Sequence, residues 1–401
     1  MKLASRMDRL GMETAFSVLA QARALEAQGK NVIHLEIGEP DFDTPAAIVS
    51  AAQEALRQGY THYGPSQGLP ELRELIASEL KASRGLDVNP NCVVVTPGAK
   101  PVMFYTILAL AEEGDEVIYP DPGFPIYKSM IDFVGAKAVP LVLREEKDFS
   151  IDLEELKSKI TPRTTLLILN SPHNPTGGII PPEQLEEIAA LAVEHDLWVL
   201  SDEVYWRILY EGRHVSIASF PGMAERTIIL DGHSKTYAMT GWRLGFAVVP
   251  ESLAFHFTKL VNNNASCTAT FVQRAALAGP EAEADVDMMV KEFAARRKVV
   301  VEGLNAIEGI RCRWPAGAFY AFPNVTGVGI SSDEFARYLL NEAGVATLSG
   351  TAFGAAGNGF IRISYANSLA NLQEALRRIR WAVEQIRPSI PVSTANQAAR
   401  G

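Results

Sequence analysis

The segment Ser234-Lys235-Thr236-Tyr237-Ala238-Met239-Thr240-Gly241-Trp242-Arg243 sets a lysine and an arginine eight residues apart among small, apolar and aromatic side chains. A lysine buried beside another cation gives up its proton easily, which a nucleophilic amine requires. An arginine's planar fork suits phosphate or carboxylate better than a second lysine would. Three further clusters carry complementary groups. Pro97-Gly98-Ala99-Lys100 opens a helix with small residues, so backbone N–H groups can approach an anion. Ser171-Pro172-His173-Asn174-Pro175-Thr176-Gly177-Gly178 has two X-Pro steps and a Gly pair, a shaped loop able to aim Asn174 into a cleft. Ser201-Asp202-Glu203-Val204-Tyr205 puts acids and a phenol beyond an apolar run. Singly, each has an ordinary reading: a strand-to-helix turn, a complicated turn, or a helix cap at Asp202.

What must position these groups is a set of short β-rich runs, at 92–96, 115–120, 138–143, 164–170, 197–202, 226–231 and 243–249. Helical patterns separate several of them. In 181–196, prolines open the helix and Leu185, Ile188, Ala189 and Ala192 line one face. Continuous apolar strands alternating with helices predict an α/β fold, a mostly parallel sheet flanked by helices. In such sheets ligands sit at the carboxyl ends of strands, where all four clusters lie. From about residue 281 the pattern changes to a long helix (281–307), the short strands "GAFYAF" and "GFIRIS", and a helix near 368–386. The expected division is a large domain at 46–285 and a smaller α+β domain from 1–45 and 286–390, with a polar tail at 391–401.

With 47% hydrophobic and 21% charged residues, the composition is that of a folded globular chain rather than a disordered one. A formal net charge of −10 argues against general affinity for nucleic acid or acidic membranes. Cys92, Cys267 and Cys312 are too few and too scattered for a disulfide framework or a zinc site. No run approaches the roughly 18 apolar residues of a membrane span, and the N-terminal stretch lacks a signal peptide's apolar core. A cytoplasmic protein is expected.

Taken together, the clusters meet the needs of pyridoxal 5'-phosphate. That cofactor requires a lysine for its Schiff base, a carboxylate against its pyridinium nitrogen, donors for its phenolate oxygen and an anion site for its phosphate. The chain resembles the fold-type I pyridoxal-phosphate enzymes of the class I aminotransferase family, to which aspartate aminotransferases belong. The likeness runs from "LEIGEPDFDTP" through "YGPSQGLPELR", "TPGAK", "PDPGFPIY", "SPHNPTGG", "SDEVY" and "SKTYAMTGWRLG" to "GFIRIS". It implies that Lys235 carries the internal aldimine and shuttles the substrate proton, while Asp202 keeps the pyridine nitrogen protonated. Asn174 and Tyr205 would donate to the phenolate oxygen, and Phe124 would cover the ring. Gly98, Ala99, Lys100, Ser234 and Arg243 would form the phosphate cup. Tyr63 would reach the neighbouring subunit's phosphate, which implies a homodimer with shared active sites. Arg362 would bind the substrate α-carboxylate, helped by the Gly38 backbone.

The resemblance implies ping-pong transfer of an amino group from an L-amino acid to a 2-oxo acid. Aspartate with 2-oxoglutarate is the first expectation, with aromatic or small neutral amino acids, or a lyase reaction on the same fold, as alternatives. Gly232 stands where some relatives have serine, and Ser349–Gly354 departs from the usual Pro-Gly turn. Dicarboxylate-specific relatives add a second cation, where residues 261–271 offer asparagines; Lys100 and an N-terminal arginine are the candidates to substitute, and the sequence establishes neither. Substrate preference is therefore expected to reside near 10–40, 261–271 and 349–354. The Gly-rich 354–359 lacks GxGxxG order, and His173 and His233 lack metal-ligand spacing.

Overall fold

The computed structural model describes residues 2–387, so the tail expected at 391–401 lies outside the described residues. Seven apolar runs form one sheet: β1 Val93–Thr96, β2 Glu116–Asp121, β3 Lys137–Val142, β4 Thr164–Asn170, β5 Trp198–Asp202, β6 Thr227–Gly232 and β7 Gly245–Val248. Their order is β1-β7-β6-β5-β4-β2-β3. Strand β7 runs antiparallel to β1 and β6, and the other neighbours pair in parallel. The fold is therefore α/β with a mostly parallel sheet, as the alternating pattern predicts.

Apart from the edge strand β3, both faces of this sheet are dry, which explains why its strands read as unbroken apolar runs. Successive side chains of a strand point to opposite faces. In β4, Leu166 and Ile168 join a core with Val102, Tyr105 and Phe257, while Leu167 and Leu169 join another with Ile188 and Val199. Helix Pro182–Glu194 buries Leu185, Ile188, Ala189 and Ala192, the predicted face. Each buried aliphatic chain contributes about 1.5–3 kcal/mol through removal from water.

A third core gathers Leu35, Phe293, Phe319, Phe335, Ile363, Tyr365 and Ile379. Around it lie the helices Glu283–Asn305, Ser332–Tyr338 and Leu369–Ile386. Strands Leu348–Ser349, Ile361–Ser364 and Tyr320–Ala321 make a small antiparallel sheet there. The pair Ile33–His34 and Val345–Ala346 runs parallel and ties the N-terminal stretch to this part of the chain. Tyr205 and Ile208, just past β5, pack into this same core. The carboxyl end of the large sheet is thereby roofed by the third core.

Candidate active site

A cavity of about 540 Å³ opens where β5 and β6 end, and its walls include Asn174, Asp202, Tyr205, Lys235, Arg243 and Arg362. That size lies within the roughly 300–1,000 Å³ of small-molecule and cofactor sites. Gly38, Ala99, Lys100, Phe124 and Ser234 also line it.

Lys235 sits on a single helical turn, His233–Thr236, directly after β6. Its ammonium donates to the Gly38 carbonyl at 2.5 Å and lies 5.9 Å from the centre of the Phe319 ring. Burial pushes its pKa down to about 8, because the surrounding protein disfavours the charged form. Gly38 has to be glycine: an added Cβ would stand 2.1 Å from the Tyr320 hydroxyl. That hydroxyl in turn pairs with the Tyr205 hydroxyl at 2.7 Å. Both phenols are buried and burial raises their pKa values, so they stay protonated and one donates to the other.

Asp202 closes β5 and is 8% exposed. The Tyr127 hydroxyl donates to its Oδ2 at 2.5 Å, and the Val204 N–H donates to Oδ1 at 3.3 Å. Burial still wins over these two bonds and lifts its pKa to about 6. A carboxylate so placed favours any cation brought against it. Behind Asp202, Arg84 donates to Glu203 at 2.7 Å and to Asp231, so one guanidinium bridges two more buried carboxylates at the strand ends, and His214 also pairs with Glu203.

Two glycines allow the close packing around Arg243 and Ala99 at the other end of the cavity. Gly98 has φ +94°, and a Cβ there would stand 2.3 Å from Arg243 Nη2. A Cβ on Gly245 would stand 2.3 Å from the Ala99 nitrogen. Arg243 itself takes φ 57°, a conformation that costs a non-glycine residue about 1–2 kcal/mol, and donates from Nη1 to the Thr240 carbonyl at 2.8 Å. Ser234 is buried beside this cup. The side chain of Lys100 is otherwise engaged: its ammonium pairs with Glu13 and lies 5.4 Å from the centre of the Phe124 ring. Its position at the start of helix Lys100–Leu110 leaves its backbone N–H as the part available to an anion. Tyr63 does not line the cavity and is 87% exposed.

Arg362, on the strand Ile361–Ser364, is 4% exposed. Its Nη1 donates to Asn174 Oδ1 at 3.1 Å and its Nη2 to the Glu36 carbonyl. Tyr320 and Phe353 flank the guanidinium, their ring centres 4.6 and 4.9 Å away. Its Nε is buried without a partner. A buried guanidinium whose partners are an amide and a carbonyl is an incompletely balanced charge, suited to a carboxylate ligand.

Several participants have no local sequence signal. Tyr127 stands inside "PDPGFPIY", but its partner lies 75 residues away. Asn170, the last residue of β4, accepts from the Asn174 N–H at 2.9 Å and donates to the Asp202 carbonyl at 3.0 Å, yet it reads as one more strand residue. Glu13 precedes any strand or helix pattern that would place it in a cleft. The asparagines of 261–271 do not line the cavity; Asn262 and Asn264 bond to Ser66 and Tyr105. His173 bonds to Thr176 and His233 stacks on Tyr237; burial pushes their pKa values to about 3 and about 4. Among the described residues no group of three or more His, Cys, Asp or Glu could hold a metal ion.

The residues fit pyridoxal phosphate in this sense: a lysine of lowered pKa, a buried carboxylate and an arginine backed by Gly98 face one cavity. Residues 30–379 match the family described as aminotransferase class I and II. The chain is 46% identical over 361 residues to an aspartate aminotransferase of Pyrococcus abyssi, covering 89% of this chain and 92% of that one. It is 42% identical over 365 residues to aromatic-amino-acid aminotransferase 2 of Thermococcus litoralis, covering 90% and 94%. Aspartate aminotransferase from Thermus thermophilus, solved with maleate, superposes with a TM-score of 0.91 at 39% identity, over 95% of this chain and all of that one. A family match spanning most of the chain, the relatives' identity and the shared fold agree with the geometry of the cavity: the chain belongs to the class I and II aminotransferase family.

Proposed function

We propose that this aminotransferase uses pyridoxal 5'-phosphate to move an amino group from an L-amino acid to a 2-oxo acid, with aspartate and 2-oxoglutarate as its pair. One observation carries the reading: Lys235, with its pKa near 8, shares a single cavity with Asp202, Arg243 and Arg362. When bound, the cofactor supplies an aldehyde and an electron-accepting pyridinium ring. Lys235 would supply the amine that holds that aldehyde, and its side chain would also serve as the base for a proton on the substrate's Cα. Asp202, ionised above about pH 6 and steadied by Tyr127, would hold the proton of a ring nitrogen. Asn174 and Tyr205 would hold the ring oxygen and Phe124 would cover the ring, while Tyr320 orients Tyr205. Gly98, Ala99, Ser234, Arg243 and the Lys100 backbone would hold the phosphate. Arg362 and Gly38 orient the substrate's α-carboxylate.

Aspartate is favoured because the curated relatives above include aspartate aminotransferases and maleate is a dicarboxylate. An aromatic donor is the second reading, supported by Phe16 and Phe124 in the cavity wall and by the aromatic aminotransferase among the relatives. The exposed Tyr63 supports a homodimer in which it reaches the neighbouring cavity. A cytoplasmic location and the division into 46–285 and 1–45 with 286–390 belong to the same proposal; no helix among the described residues is long and apolar enough to cross a membrane.

The test is Lys235→Ala with a panel of amino donors against 2-oxoglutarate, pyruvate and oxaloacetate. The variant should lose borohydride-trappable cofactor and at least about 10³-fold in turnover. Unchanged linkage and turnover would overturn the assignment. A 2-oxo acid released without a stoichiometric acceptor would point to elimination instead.

A further inference from the structure

Four cations line the cavity: Lys100, Lys235, Arg243 and Arg362. In the proposed function the last three hold cofactor and α-carboxylate, which leaves the Lys100 ammonium. Its partner is Glu13, a carboxylate from the chain itself. Glu13 stands at the N-cap of helix Thr14–Glu26, where its carboxylate could serve the free backbone N–H groups, yet it makes no cap hydrogen bond. It points instead into the cavity, where its side chain is only 15% exposed. Burial dominates the pKa values of Lys235, Tyr320 and Arg362, but the charge of Glu13 acts on all three, which marks it as part of the site.

The segment that carries Glu13 is weakly held. The turn Ser5–Arg9 buries no residue, and the helix after Glu13 buries only Ala22. Phe16, which shares the cavity wall with Glu13, is 60% exposed, and Met12 is 90% exposed. Two long-range hydrogen bonds attach the stretch before Glu13: Gly11 N–H to Ser129 Oγ at 2.8 Å and Arg9 Nη2 to the Phe133 carbonyl at 3.0 Å. Moving Glu13 away from Lys100 therefore disturbs little of the core.

We infer that Glu13 is a specificity-determining residue that occupies, on Lys100, the place a substrate's second carboxylate would take. This rests on the proposed assignment of Lys235, Arg243 and Arg362. With Glu13 in place, Lys100 is neutralised and the cavity end walled by Phe16 and Phe124 accepts an uncharged or aromatic side chain. A dicarboxylic substrate reaches Lys100 only by exchanging for Glu13. One residue thus sets the balance between acidic and neutral donors.

Glu13→Gln removes the competing charge and keeps the side chain's shape. In the holoenzyme it should raise the ratio of kcat/KM for L-aspartate over L-phenylalanine about fivefold, which is about 1 kcal/mol, the worth of one partly exposed ion pair. Succinate, a dicarboxylate with no amino group to transfer, should bind the variant about fivefold more tightly by calorimetry. An aspartate-to-phenylalanine ratio that stays constant or falls, or succinate bound equally by both proteins, overturns the inference. The succinate measurement involves no turnover, so it decides about Glu13 even where wild-type protein moves no amino group, an outcome that would sink the proposed function separately.

Discussion

Asp202→Asn should make the cofactor-free protein more stable and the enzyme useless. Burial raises the Asp202 pKa from 3.8 to about 6. The shift of about 2 units, at about 1.4 kcal/mol per unit, means that ionised Asp202 costs the folded apoprotein about 3 kcal/mol. The sign follows from proton counting. Between about pH 4 and pH 6 the folded chain binds more protons than the unfolded one at this residue, so stability falls as pH rises through that window. Above about pH 6 the cost is complete; below the ordinary value of 3.8 it vanishes. Asparagine removes the charge. It keeps an acceptor for the Val204 N–H, while the Tyr127 hydroxyl must turn to accept from the new amide and loses its own acceptor, a loss of about 1 kcal/mol. The net expectation is a gain of about 2 kcal/mol at pH 7.5, smaller by about 1 kcal/mol at pH 5. Urea unfolding of both apoproteins at one protein concentration measures it, since subunit association would otherwise add its own contribution. With pyridoxal phosphate added, the order should reverse, because only the carboxylate pairs with a protonated ring nitrogen. An apo Asn variant no more stable than wild type at pH 7.5, or a gain independent of pH, would refute the reasoning.

Two further outcomes follow from the same cavity. Gly98→Ala would place a methyl 2.3 Å from Arg243 Nη2 at φ +94°; the guanidinium must shift, and fluorescence titration should show cofactor affinity weakened about tenfold or more, whereas an unchanged dissociation constant would show that this contact does not shape the anion site. Lys235 should capture the cofactor's aldehyde with a rate that rises through about pH 8, since burial lowers its pKa and the neutral amine is the reactive form; stopped-flow absorbance of apoprotein mixed with pyridoxal phosphate reads this, and a midpoint near the roughly 10.4 of a solvated lysine would contradict it.

The linear chain already determined the architecture and the order in which the candidate groups follow its strands. Apolar β-rich runs alternating with helices specify a parallel sheet, because strands dry on both faces have no polar alternation to display. The groups immediately after those runs, Gly98, Asn174, Asp202 and Lys235, then fall at one edge of the sheet by the geometry of parallel strands. What only the tertiary structure decided is which of these groups touch and with what charge. Tyr127 meets Asp202 and Tyr320 meets Tyr205 across 75 and 115 residues, through packing of separate elements that no local period records. The pKa of Lys235 depends on how much protein surrounds it, a property of the folded cavity and not of "SKTYAMTGWR". Residues 10–40 could be marked as a place where specificity resides, but the ion pair of Glu13 with Lys100 exists only once the N-terminal segment lies over the helix that Lys100 opens. Spacing along a chain orders residues that share an element; contact between elements is set by the whole fold, and the electrostatics of a site follow from contact.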